Sequence, residues 1–116
     1  MPFYYETKEY SRIEELVTHY YKTTYQKLKQ TMLDYAKQNG FEVVDVNDEY
    51  KEACIKNKKF IVNIKFSNLS VLETSIDFNI EVDLLFSKKN TIKLLNDIYE
   101  YLAKNHQFIG VGIHAN

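Results

Sequence analysis

A strict alternation of apolar and polar residues runs through the last third of the chain. Ile76, Phe78, Ile80, Val82, Leu84 and Phe86 are interleaved with Ser75, Asp77, Asn79, Glu81 and Asp83. A period of two puts every apolar side chain on one face of a strand and every polar one on the other, so the segment predicts a strand with a dry and a wet side. Phe60, Val62, Ile64 and Phe66 repeat the pattern in a strand over 59–66, with Asn63 and Lys65 facing the opposite way. Shorter runs at 41–46 and 50–56 predict two more strands. The polar turns Asn47-Asp48-Glu49, Asn57-Lys58 and Ser67-Asn68-Leu69-Ser70 separate the four. Residues 3–8 predict a short first strand.

A period near 3.6 governs the segment between. Ser11 and Glu14 match a capping box, in which each side chain serves the other's free backbone N–H. Positions 16, 17, 20, 21, 24, 25, 28, 32, 35 and 36 then form one stripe, with Glu15, His19, Lys22, Gln26, Gln30 and Lys37 opposite it. Asn39-Gly40 supplies a stop, with Gly40 suited to the left-handed position after a helix. This pattern predicts a helix over 11–39. Asn90 opens a second amphipathic helix over 91–104, built on Ile92, Leu95, Ile98, Tyr99 and Leu102. The segment 108–113 reads as a final short strand or a packed extended tail.

These elements predict one α+β domain spanning 1–116. It has a curved antiparallel sheet of four to five strands. A long N-terminal helix and a C-terminal helix pack on its dry face, the only large apolar surface that can cover them. The order β-α-β4-α is similar to the half-repeat of the TATA-binding-protein-like fold and looks like a shortened helix-grip domain, a likeness of topology without a sequence motif. A 29-residue helix would be about 43 Å long, and a strand over 72–86 about 50 Å. A compact chain of this size has a radius of gyration of only about 13 Å. Elements that overhang their core need a partner, so a homodimer through the helix end or an edge strand is expected.

Charge narrows the partners. Fifteen basic and 16 acidic residues give a formal charge of -1, which supplies no general attraction to nucleic acid or anionic membrane. Arg12 is the only arginine, so the usual bidentate reader of phosphate and guanine is nearly absent. No apolar run reaches the ~18 residues of a spanning helix. The first residues lack the basic and apolar regions of a signal peptide, and a cytoplasmic protein is expected. Cys54 is the single cysteine, which excludes an internal disulfide and a two-cysteine zinc site.

Candidate chemistry is sparse. Asp77, Glu81 and Asp83 share the wet face of the long strand and read as a solvated surface rather than a metal or acid–base pair. Asp45 to Glu49 resembles the start of a calcium loop, but Tyr50 stands where glycine is required and Lys56 where a bidentate Glu is required. His19, His106 and His114 have no metal-ligand spacing. No catalytic residues, metal or cofactor are assigned. Tyr20, Tyr21, Tyr25 and Tyr35 lie on the stripe of the long helix. They are the candidate ligand-binding residues, lining a helix–sheet cavity for a small apolar or aromatic molecule. The expected function is a non-catalytic binding or interaction module, acting as a homodimer or through that cavity. The alternative is a small enzyme with a dispersed carboxylate and tyrosine site.

Overall fold

A computed structural model describes residues 3–82 and 87–112. The first strands are β1 (Phe3–Glu6) and β2 (His19–Lys22). Helix α1 (Tyr25–Gln38) leads into β3 (Glu42–Asn47), β4 (Glu52–Lys56), β5 (Phe60–Ser70) and β6 (Glu73–Val82). Helix α2 (Ser87–Asn105) and β7 (Gln107–Val111) follow. All seven strands join one sheet in the order β3-β4-β5-β6-β2-β7, with β1 beside β2 on the same edge of β6. Every strand-to-strand pairing is antiparallel.

The expected fold class needs correction: the sheet is larger, and the first helix is shorter and begins later. Residues 14–16 form a single 3-10 turn, and Val17 to Lys22 run extended. The capping box does not form; the Ser11 hydroxyl instead accepts from the Ile13 N–H at 3.2 Å. The physical reason lies in Val17-Thr18-His19-Tyr20-Tyr21-Lys22-Thr23-Thr24, a β-branched and aromatic run that is weak in a helix and strong in a strand. The true cap is Thr24, whose hydroxyl accepts from the Lys27 N–H at 3.2 Å. At the other end, Gly40 takes φ 76°. The Phe41 N–H then reaches back to the Ala36 carbonyl at 2.8 Å, closing the helix. Helix α2 begins earlier than expected and is not the last element, because β7 returns to the sheet beside β2. The added strands also break the order on which the TATA-binding-like and helix-grip likeness rested. A 14-residue α1 spans about 21 Å, within the longest molecular dimension of 39 Å, so the overhang that suggested a dimer is absent from this helix.

Both helices cover the face built from Phe60, Val62, Ile64 and Phe66 of β5 and Ile76, Phe78, Ile80 and Val82 of β6, all buried. The dry side of the alternation therefore packs under helices. Leu84, Phe86 and the carboxylate Asp83 lie outside the described residues, as do His114 and the end of the tail.

Strands β1 and β2 share one line along β6: residues 3–6 pair with 82–79, and 19–21 with 76–74. Between them the chain leaves the sheet at Thr7 and returns at Thr18. Asp77 of β6 sits opposite this gap, and its Oδ1 accepts from both the Thr7 and Thr18 hydroxyls at 2.6 Å. Asp77 is thus not a solvated surface group. It staples the two stems of the excursion. Burial, with some help from Glu9 and Glu6, outweighs the two hydroxyls and holds its carboxyl above the usual range. Asp77→Ala removes the shared acceptor and should cost about 2 kcal/mol in urea unfolding. Asp77→Asn keeps an acceptor oxygen without a buried charge and should cost less than half as much. Equal losses in the two variants would refute the staple.

Candidate functional site

Strand β2 alternates, and its buried side carries His19 and Tyr21 beneath α2. The His19 ring stacks on Tyr99 of α2, with centroids 3.5 Å apart and planes 6° from parallel. Phe108 of β7 stands 5.5 Å from the rings of both His19 and Tyr21. The 3-10 turn closes one end, where the Tyr99 hydroxyl donates to the Glu15 carbonyl at 2.9 Å. These four aromatic residues line a cleft of about 410 Å³ between α2, the turn and the β2–β7 edge. Its mouth carries Glu14, Glu15 and Glu100, with Asn96 beside them.

The protonation state of His19 follows from its partner. Its Nδ1 lies 2.7 Å from the Val17 carbonyl, which can only accept, so Nδ1 holds the hydrogen and Nε2 keeps its lone pair. Burial lowers the imidazole's pKa to about 4, against the opposing pull of the Val17 bond and Glu15. The ring is therefore neutral near pH 7. Burial pushes the Tyr21 and Tyr99 phenols well above their ordinary value, and both stay protonated.

Tyr21 has an unsatisfied group. Its side chain is fully buried and its hydroxyl has no hydrogen-bond partner among the described residues. Buried polar groups are nearly always paired, and each exception calls for a reason. Tyr21→Phe removes the orphaned hydroxyl and should stabilise the unliganded protein by about 1 kcal/mol, or ~4 °C in Tm. A loss of stability on that change, read by thermal unfolding, would show that the hydroxyl is already satisfied.

Of the four tyrosines singled out from the sequence, only Tyr21 lines the cleft. Tyr20 points the other way on β2 and donates to both Glu9 carboxylate oxygens, at 2.6 and 2.8 Å. Tyr25, in the first turn of α1, donates to Asp48 at 2.6 Å. Lys29 shares that carboxylate at 2.8 Å. Tyr35, near the far end of α1, donates to Asp97 of α2 at 2.7 Å. These three hydroxyls tie elements together, and the structure does not assemble them into one site. Comparison with protein-family models, with curated proteins and with solved structures gave no match to this chain.

His19, Tyr99 and Phe108 were not singled out from the sequence. The signal for His19 was present as the two-residue period Val17, His19, Tyr21, Thr23, all buried in the fold. The space beneath α1 is filled by Leu28, Met32, Tyr35 and Ala36, so the cleft lies under the second helix rather than the first. Larger depressions of about 560 and 620 Å³ lie elsewhere on the surface, but no buried, unpartnered polar group lines them. Among the described residues no group of three or more His, Cys, Asp or Glu is placed to hold a metal. The apparent calcium-loop segment is the β3–β4 turn, where the Asn47 side chain accepts from the Tyr50 N–H at 3.0 Å. Cys54 is half-buried on β4, where burial pushes its thiol pKa up and disfavours the reactive thiolate. No described helix is long and apolar enough to cross a membrane.

Proposed function

We propose that this protein is a non-catalytic binding module, cytoplasmic as its sequence suggests, whose site is the aromatic cleft under α2. Its ligand is a small molecule with a flat aromatic body. The orphaned Tyr21 hydroxyl carries this reading: a ligand group that reaches it would relieve a cost the free protein bears. The setting agrees, since a concave aromatic wall with a few polar tips is the usual form of a small-molecule site. The dispersed-enzyme alternative draws less support. A proton-transfer group works best with a pKa near the working pH, whereas His19 is lowered to about 4 and burial raises the four tyrosines. The homodimer mode loses the helix-end half of its motive and keeps only an edge strand as its interface.

A fragment screen by two-dimensional NMR on the full chain tests the reading. Flat aromatic fragments should perturb the amides of His19, Tyr21, Tyr99 and Phe108 together, and Tyr21→Phe should weaken them while stabilising the free protein. Hits that cluster elsewhere, or none at millimolar fragment, would count against the cleft as a site.

A further inference from the structure

The polar groups around the cleft point to the charge of its occupant. Glu14, Glu15 and Glu100 are at the mouth, and no Lys or Arg lines it. None of these carboxylates forms an ion pair among the described residues. Inside, the His19 ring offers a lone pair at Nε2, because Nδ1 is committed to the Val17 carbonyl. The unpartnered Tyr21 oxygen can accept as well as donate. The cleft is therefore rich in acceptors and poor in fixed donors. Its walls are aromatic faces, which attract a cation through the ring quadrupole. Three unneutralised carboxylates around a partly desolvated space would repel an anion.

Resting on the reading of the cleft as a small-molecule site, we infer that its ligand is an organic cation: an amidinium, guanidinium or ammonium group on a flat apolar body. The cationic N–H groups meet Glu15 and Glu100 at the mouth and the Nε2 lone pair of His19 within. The flat body lies against Tyr99 and Phe108. Phe108 is 41% exposed on an edge strand, so its ring is the wall freest to move aside and admit a ligand to the Tyr21 hydroxyl behind it.

Three probes of one shape and different charge test the inference: benzamidinium, benzamide and benzoate, each titrated into the full chain at pH 7 and followed by NMR. Benzamidinium should shift the cleft residues and bind about tenfold more tightly than benzamide, with benzoate weakest, and added salt should narrow the gap. The triple variant Glu14→Gln, Glu15→Gln, Glu100→Gln, checked for fold by circular dichroism, should cut the preference for the cation several-fold, leaving the weaker attraction of the aromatic faces. Binding of benzamide or benzoate in the cleft as tightly as benzamidinium would overturn the cationic class and leave the cleft standing. A preference for benzamidinium that is undiminished in the triple variant would overturn the role of the carboxylates, and the inference with it. Binding of none of the three in the cleft would overturn both readings.

Discussion

Acidifying the protein from pH 6.5 to pH 4 is expected to remove about 3 kcal/mol of stability through His19 alone. The folded imidazole titrates at about 4, against 6.5 for the free side chain. Well above pH 6.5 neither state binds the proton, and the contribution of His19 is complete. Between the two values the unfolded chain takes up a proton that the fold refuses, so stability falls as pH falls. Below the folded value the contribution is gone. The cause is desolvation: the ring is buried against Tyr99, and the Val17 carbonyl on Nδ1–H together with nearby Glu15 offsets only part of the cost of a second proton on Nε2. His106 is also lowered by burial and acts in the same direction, while the raised carboxyl of Asp77 acts in the opposite one. Both are retained in His19→Gln, so the difference between wild type and variant isolates His19. Urea unfolding at several pH values should give curves for the two proteins that converge on acidification, and NMR titration of the His19 ring should report the low value directly. Parallel curves would sink the assignment.

The second large effect is at Tyr99. Its ring is buried, stacks on His19, meets Phe78 edge-on at 5.9 Å and donates its hydroxyl to the excursion. Tyr99→Ala deletes the wall shared by the core and the cleft and should cost about 3–4 kcal/mol, the range for aromatic truncation in a packed interior. Tyr99→Phe keeps the ring and loses only the bond to the Glu15 carbonyl, so it should cost about 1 kcal/mol. The two variants also separate packing from solvation. With the ring gone, water reaches His19 and its pKa should climb back toward 6.5; in Tyr99→Phe, where the ring is kept, it should stay near 4. Denaturant unfolding reads the first effect and NMR titration the second. A His19 pKa unmoved by Tyr99→Ala would mean that the stack is not what excludes water.

Where a single period dominates, the architecture was legible along the chain. The two-residue alternation at 60–66 and 76–82, and the stop at Asn39-Gly40, name features present in the fold, because each depends on neighbours within a few residues. Residues 11–24 were misread for a definite reason. Their side chains fit a helical stripe and a strand alternation at once, and the choice rests on whether an open edge of β6 is available to pair with 19–21. Hydrogen bonding to that edge, together with β-branched stiffness, outweighs the local capping signal at Ser11. The tyrosine site dissolved with the same error, since a strand sends Tyr20 and Tyr21 to opposite faces.

Local sequence therefore determined which segments have a greasy side, the turns after β3 and β4 and which chemistries lack their residues. All of this follows from side-chain type and spacing. Tertiary structure decided the rest. The turn expected at 67–70 is instead the end of β5, paired with β6, and the chain reverses at Val71-Leu72. Asp77 faces two threonines that are 70 and 59 residues away. His19 is neutral because a helix 80 residues later lays Tyr99 across it. Tyr21 is fully buried by residues far from it in sequence, and its hydroxyl finds no partner among the described residues. Desolvation and hydrogen-bond satisfaction are properties of what surrounds an atom, and in this fold those surroundings are assembled from distant parts of the chain.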